Sequence, residues 1–363
     1  MAKKRIAVLT GGGDAPGLNA VIYSLVRTCI TKFDYELIGY KFGYRGLYNN
    51  DFMPLTLANT SGILHRGGTI LYSSNKDNLF DFPMEEGGKI VKRDMSDVAI
   101  ENMRKEGIDV LAVLGGDGTL TSARDFARKG INVIGVPKTI DNDLAATEIT
   151  FGFNTAVTIV TENLGRVHTT AESHHRVMIV EVMGRNAGWI ALHSGIAGSA
   201  DVILIPEIPF TLQGIVNKVK QRGALGKPFT VIVVCESAVE TGGEASVQKI
   251  VEDSPDPIRF GGIGAKLAHA LEPLINHEVR SVALGHVQRG GETTAYDRVL
   301  SCRYGVEAAH LISDGKYGNM VCLKDDKMTY ESLEKVIGTA KTVDPNGELV
   351  RVARSLGISF GDS

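Results

Sequence analysis

The sequence predicts an α/β fold built on mainly parallel sheets, and three observations carry that prediction. Seven short apolar runs rich in β-branched residues alternate with stretches of helical periodicity. Each run is almost continuously apolar, as a strand is when a parallel sheet buries it on both faces. Several glycine-rich clusters directly follow such runs, where a chain turning from strand to helix lets its backbone approach a ligand. The length of 363 residues, against ~150 residues per domain, suggests two domains or one large one.

Taken in order, Arg5–Thr10 is the first strand and Leu18–Thr31 the helix behind it. Asp97–Lys105 is helical and leads to a strand at Val110–Leu114, a helix at Leu120–Lys129 and a strand at Val133–Val136. Thr155–Thr169 is the next helix, followed by strands at Val177–Met183 and Val202–Ile205. A helix at Gly214–Gln221, a strand at Thr230–Cys235, a helix at Gly264–Ile275 and a strand at Val282–Leu284 complete the alternation. Strand-then-helix repetition of this kind argues for crossover-connected parallel sheets. Glu240–Arg259 is polar and holds Pro255 and Pro257, so it is expected to be a surface excursion or a crossover. After Asp344 the pattern weakens, with one short helical stretch around Leu349–Ser355.

Composition narrows the function classes. Apolar residues make up 43% and charged residues 22%, the mix of a soluble globular protein. Lys and Arg number 39 against 42 Asp and Glu, a net charge of −3 that gives no support to nucleic-acid binding by bulk charge. A local basic pocket for a small anion stays open. Cys29, Cys235, Cys302 and Cys322 are too far apart for a metal knuckle and fit a reducing compartment. Met1-Ala2-Lys3-Lys4-Arg5 leads only into Ile6–Leu9, too short for a signal peptide. No run approaches the ~20 apolar residues of a membrane span. The expectation is a cytoplasmic protein with no membrane partner.

Ligands of open α/β sheets bind beyond the carboxyl ends of the strands, and three motifs fall there. The first is Thr10-Gly11-Gly12-Gly13-Asp14-Ala15-Pro16-Gly17-Leu18-Asn19. A glycine turn at a helix N-terminus presents free N–H groups and a positive dipole end to phosphate. The string matches neither the dinucleotide fingerprint nor Walker A, and a tight connection without a ligand is the competing explanation. The second is Leu114-Gly115-Gly116-Asp117-Gly118-Thr119. Its amides suit phosphate oxygens and Asp117 suits Mg²⁺, although Asp117 or Thr119 also makes an ordinary helix cap. The third is Pro137-Lys138-Thr139-Ile140-Asp141-Asn142-Asp143-Leu144. Two carboxylates at i, i+2 beside a Lys and a Thr allow one to take a proton from an attacking hydroxyl while the other helps with metal or orientation; the alternative is a solvated turn.

Cations cluster near other strand ends: Arg176, Arg185, Arg280, His286 and Arg289. Converging arginines suit a phosphorylated sugar, while each taken singly reads as a surface charge. His65, His193, His269, His277 and His310 show no metal-ligand spacing.

Together these motifs closely resemble the 6-phosphofructokinase family. The matching strings are Gly-Gly-Asp-Ala-Pro-Gly-Leu-Asn-Ala (12–20), Gly-Gly-Asp-Gly-Thr (115–119), Pro-Lys-Thr-Ile-Asp-Asn-Asp (137–143), Val-Glu-Val-Met-Gly-Arg (180–185) and Gly-His-Val-Gln-Arg-Gly-Gly (285–291). They follow the family's order and continue into Tyr296-Asp297-Arg298. The resemblance implies two similar Rossmann-like domains, 1–152 plus 288–337 for the donor and 153–287 plus 338–363 for the sugar phosphate. It implies Mg²⁺-dependent phosphoryl transfer from ATP to fructose 6-phosphate, the committed step of glycolysis.

By the same resemblance Asp141 is the base that takes the sugar's 1-hydroxyl proton, with Thr139 and Arg185 beside the reacting group. Asp117 is the metal-associated carboxylate. Gly13, Asn75, Lys76, Gly116, Gly118 and Thr119 are expected at the donor. Ile140, Met183, Gly184, Glu236, His286, Val287, Gln288 and Arg289 are expected at the sugar. Arg176 and Arg280 are expected to reach a neighbouring subunit's sugar phosphate in a homotetramer or homodimer.

Two positions bear on the donor. Pyrophosphate-using members resemble one another in carrying Asp after Gly-Gly-Asp and Lys before Thr-Ile-Asp-Asn-Asp. Here Gly118 leaves room for ATP, while Lys138 is the pyrophosphate-type residue, so ATP is expected. Departures from the family pattern occur at Asn75-Lys76, where an arginine is usual, and at Tyr23 and near His168, where effector-site arginines of bacterial members align, so the allosteric control of those members is not expected here. The alternatives are a pyrophosphate-dependent enzyme, a sedoheptulose 7-phosphate kinase, or a non-catalytic nucleotide- or sugar-phosphate-binding subunit. An NAD-linked oxidoreductase is disfavoured by the missing glycine fingerprint.

Overall fold

The computed structural model describes residues 3–86, 89–250 and 258–363. The chain starts with β1 (Arg5–Thr10), α1 (Leu18–Phe33), β2 (Glu36–Tyr40) and β3 (Phe52–Leu55). It continues through α2 (Ser96–Lys105), β4 (Val110–Gly115), α3 (Asp117–Arg128) and β5 (Val133–Pro137). The middle of the chain holds α4 (Phe153–His174), β6 (Val177–Val182), α5 (Trp189–Ala197), β7 (Val202–Leu204), α6 (Leu212–Ala224), β8 (Thr230–Cys235), α7 (Ile263–Leu271) and β9 (Val279–Ala283). It ends with α8 (Ala295–Ser313), β10 (Asn319–Lys324), β11 (Lys327–Ser332) and α9 (Glu348–Ser355).

The strands form two main sheets. One has the order β11-β10-β5-β4-β1-β2-β3, and the other β9-β6-β8-β7. In the first, β10, β5, β4, β1 and β2 run parallel, with antiparallel β11 and β3 at the two edges. The second is parallel throughout. Each sheet is packed on both faces. On the first, α1 and α8 supply Leu18, Leu25, Leu300 and Tyr304 to one core, and α2 and α3 supply Ile100, Met103, Leu120 and Phe126 to the other. On the second, α4, α5 and α9 pack one face, and α6 and α7 the other. Every residue of β4, β6 and β8 is buried, which is why those strands read as continuous apolar runs.

Some edges differ from the sequence expectation. The strand expected at Val282–Leu284 runs over Val279–Ala283, because as an edge strand it exposes Arg280 and Ser281 and carries little apolar signal. The helix expected to Ile275 stops at Leu271 and closes in a 3₁₀ turn at Glu272–Leu274, where Pro273 denies the α-helix a hydrogen bond. Around 240–260, Val247–Ile250 and Ile258–Phe260 pair antiparallel; Pro255 and Pro257 lie outside the described residues.

Candidate active site

Strand ends and helix starts bring the three motifs together. The first glycine turn leaves β1 and is fixed at both ends: the Gly11 N–H donates to Leu114 O at 2.9 Å, and the Gly12 N–H to Ser74 O at 2.9 Å. Gly12 has φ +79° and its neighbour Gly17 has φ +100°, conformations that glycine adopts without a Cβ penalty. A Cβ at Gly11 would lie 2.6 Å from the Thr119 methyl, so the first and second glycine turns touch through Thr119. The Tyr44 hydroxyl secures the second turn by donating to Thr119 O at 2.8 Å.

Asp117 opens α3 and is exposed, with the Gly338 N–H donating to its Oδ1 at 3.3 Å. Gly118 is exposed as well, and a Cβ placed there meets nothing within 4 Å among the described residues. Asn75 and Lys76 stand exposed on the segment that grips Gly12. Sequence reasoning missed Arg45 nearby, which donates to buried Asp77 at 2.8 and 3.0 Å. No motif marked it, because the pairing joins residues 32 positions apart.

The third motif leaves β5 and turns toward the second sheet. Asp141 is 3% exposed. Its Oδ2 accepts from the Thr139 hydroxyl at 3.3 Å, and its own N–H donates to Thr139 Oγ1 at 3.0 Å. Its Oδ1 is buried and has no hydrogen-bond partner among the described residues. A buried carboxylate oxygen left this way is costly in a structural turn; in an active site it is the atom that meets substrate. Burial, and then the Asp141 charge, push the Asp143 carboxyl above its usual range. The Ile140 side chain packs into the second core with Ala15 and Phe153, which leaves only its backbone for any contact with a ligand.

Lys138 is buried beneath the first turn, its ammonium donating to Gly13 O. Burial, and then the neighbouring Arg289, push it down to about 7. Arg289 itself donates to Asp14 O at 2.9 Å, so it reaches across from the end of the second sheet to the first turn.

The sugar-side candidates follow β6, β8 and β9. Gly184 has φ +150°, and a Cβ there would lie 2.6 Å from Ala187 O. Arg185 has φ 51°, a backbone state that non-glycine residues hold only under constraint. Its N–H donates to Glu236 Oε1 at 3.1 Å. Burial, and then Asp141, raise Glu236 to about 7, so this carboxyl and the third motif share one electrostatic field. His286 and Val287 are exposed. Gln288 is fully buried and uses both ends of its amide internally, accepting from Met183 N–H at 3.2 Å and donating to Gly285 O at 3.0 Å. It positions the Met183 turn.

Glu181, quoted within its motif and given no role, is a second positioning group. It is buried and accepts from Gly262 N–H at 2.9 Å and Gly264 N–H at 2.8 Å.

Arg176 and Arg280 do not join this cluster. Both pair with Glu278 at the amino ends of β6 and β9. The six residues of β6 separate Arg176 from Met183, ~20 Å of extended chain. Of the departures, the His168 ring nitrogen lies 2.8 Å from Gly198 O and Tyr23 packs under Arg27.

Among the described residues no group of three or more His, Cys, Asp or Glu is arranged to hold a metal, and no helix is long and apolar enough to cross a membrane. A Mg²⁺ ion held by one carboxylate and substrate phosphates needs no such cage, and Asp117 beside the second glycine turn fits that mode.

Comparison with known proteins accords with this geometry. A family model described as phosphofructokinase matches residues 5–312. ATP-dependent 6-phosphofructokinase 2 of Clostridium perfringens (strain 13 / Type A) is 69% identical over 361 residues, 99% of each chain. Pyrophosphate–fructose 6-phosphate 1-phosphotransferase of Amycolatopsis mediterranei (strain S699) is 47% identical over 340 residues, 93% of this chain and 96% of its own. The solved phosphofructokinase of Saccharomyces cerevisiae superposes with a TM-score of 0.79 at 29% identity; 92% of this chain spans 45% of that one. The chain belongs to the phosphofructokinase family.

Proposed function

We infer that this protein is an ATP-dependent 6-phosphofructokinase, transferring the terminal phosphoryl group of ATP to the 1-hydroxyl of D-fructose 6-phosphate. The products are fructose 1,6-bisphosphate and ADP. The observation that carries the reading is the Asp141 carboxylate, buried on a turn between the glycine loops and the Arg185–Glu236 pair, with Oδ1 unpartnered among the described residues. As the hydroxyl oxygen bonds to phosphorus, its proton passes to Asp141, and the bond from the terminal phosphorus to the bridging oxygen of ADP breaks. Phosphoryl transfer needs positioning and charge neutralisation more than covalent help. The amides of Gly13 and of residues 116–119 hold the donor phosphates, and Thr139 and Arg185 flank the group in transfer. Met183, Gly184, Glu236, His286 and Arg289 hold the sugar phosphate. Asp117 would hold Mg²⁺, which when bound offsets phosphate charge.

Donor choice rests on Gly118. A carboxylate there would project into open space beside the donor loop and repel a nucleotide's α-phosphate. The specific observation favouring pyrophosphate is Lys138, a buried cation at the first turn. Its ammonium is tied to Gly13 O, which leaves the space beside Gly118 to the nucleotide. The relative at 69% identity carries an ATP-dependent name, while the pyrophosphate-dependent relative stands at 47%, in keeping with this assignment. The same reading gives residues 1–152 plus 288–337 to the donor domain and 153–287 plus 338–363 to the sugar domain. It places Arg176 and Arg280 at a neighbouring subunit's sugar phosphate.

The test is initial rates with fructose 6-phosphate and Mg²⁺, comparing ATP with pyrophosphate for wild type and Gly118→Asp. Wild type is expected to turn over with ATP. Gly118→Asp is expected to melt as wild type does and to lose kcat/KM for ATP by about 10–100-fold through like-charge exclusion. Turnover of the wild type with pyrophosphate alone contradicts the donor assignment.

A further inference from the structure

We propose that Lys341 is a positioning residue for the Asp141 turn, acting through Asn142; the proposal rests on Asp141 being the base. Asn142 is buried with φ 54° and Ala146 has φ 66°. Left-handed backbone at non-glycine residues persists only where the surroundings over-determine it. The surroundings here come from 193 to 199 residues away along the chain. The Lys341 ammonium donates to Asn142 Oδ1 at 2.9 Å, Thr147 O at 2.9 Å and Glu148 O at 2.7 Å. An ammonium has three donors and no acceptor, and all three are engaged on this one turn. The Lys341 backbone N–H also donates to Asp143 O at 2.8 Å, and Ala340 bridges Leu144.

The segment carrying Lys341 is itself anchored on both sides of the site. Toward the donor, the Gly338 N–H donates to Asp117 Oδ1 at 3.3 Å. Toward the sugar, the Val343 N–H donates to Glu207 Oε1 at 2.8 Å, and Glu207 also accepts from the Gly188 N–H just past Arg185. Trp189 fixes the lysine from a third direction, donating from its indole to Lys341 O at 2.8 Å with its ring 5.9 Å from the ammonium. Lys341 therefore sets where Asp141 points without meeting substrate itself, and links the two halves while doing so.

The experiment measures kcat and KM of the purified full-length protein for Lys341→Met, Lys341→Arg, Lys341→Ala and Asp141→Asn. A base displaced by ~1 Å loses about a hundredfold in rate. Lys341→Met is expected to lower kcat about a hundredfold, with both KM values within about threefold of wild type. Lys341→Arg is expected to fall between, since a planar fork cannot meet three converging oxygens. Added methylammonium is expected to restore part of the kcat of Lys341→Ala, a response that lost stability alone would not give. Wild-type kcat in Lys341→Met, or a raised KM with kcat unchanged, overturns the proposal. Should Lys341→Met fail to fold, wild-type kcat in Lys341→Arg overturns it and a loss of at least about tenfold sustains it. Asp141→Asn separates the two claims: normal turnover in that variant sinks the base itself, whereas its inactivity beside a normal Lys341→Met sinks only the positioning role.

Discussion

Burial and charge at the site set two ionisations near neutrality. Glu236 is raised to about 7 by desolvation and then by Asp141, and Lys138 is lowered to about 7 by desolvation and then by Arg289. For Glu236 the folded protein keeps a proton that the unfolded chain loses above its usual value of 4.5. Its contribution to stability is therefore complete below about 4.5, declines as pH rises to about 7 and is constant beyond. Glu236→Gln removes that titration and keeps an oxygen for the Arg185 N–H. Unfolding free energies from chemical denaturation at pH 4 to 8 are expected to show the variant gaining on wild type between about 4.5 and 7, by on the order of 3 kcal/mol at most. A constant difference across that range contradicts the assignment. The candidate residues for chemistry could be named from the sequence because they sit in short contiguous strings. Asn142, Glu181 and Lys341 were not, because their roles arise only from contacts with residues far along the chain.

At the scale of elements, the site depends on how closely α1 and α8 pack. A Cβ at Gly305 of α8 would lie 2.1 Å from Ser24 Oγ and 2.6 Å from Val21 O on α1. Neither helix can yield without moving what it carries: α1 begins at the first glycine turn. Asp297 in the first turn of α8 accepts from both the N–H and hydroxyl of Thr155 at the start of α4, each at 2.7 Å. Gly305→Ala is expected to cost about 1–3 kcal/mol, typical of forcing an extra methyl group into a packed contact, measured by chemical denaturation. Unchanged stability contradicts a close helix contact. The same helix shows why part of the fold was illegible. Its buried positions include Asp297, Ser301, Tyr304 and Gly305, which erase the apolar stripe that α2 displays. The antiparallel edge strands β3 and β11 were missed because half-exposed edges lack the continuous apolar run that marks β4 or β8.

At the scale of the whole molecule, the two arginines expected at a sugar phosphate lie at the opposite end of the second sheet from Asp141, both paired with Glu278. They serve the reaction only if a second copy brings its Glu278 edge to this site. Mixing subunits tests that arrangement. Arg280→Ala and Asp141→Asn are each expected to be nearly inactive alone and to regain activity when dissociated and reassembled together, because a hybrid joins an intact Asp141 with an intact Arg280. No recovery beyond the sum of the separate variants contradicts a shared site. That the fold is α/β with mainly parallel sheets was legible from the alternation of apolar runs with helical stretches. Which strand ends share one end of a sheet was not, since strand order and the end of the sheet a residue occupies are set by tertiary pairing.

The central claim is that a buried Asp141 takes the proton from the sugar's 1-hydroxyl. The most direct measurement is the steady-state rate of fructose 1,6-bisphosphate formation from ATP by Asp141→Asn beside wild type, with fructose 6-phosphate binding measured on the same samples. The variant is expected to show a kcat lower by about 10²–10⁴-fold, the usual worth of a general base, with sugar binding within about threefold. Turnover at the wild-type rate contradicts it.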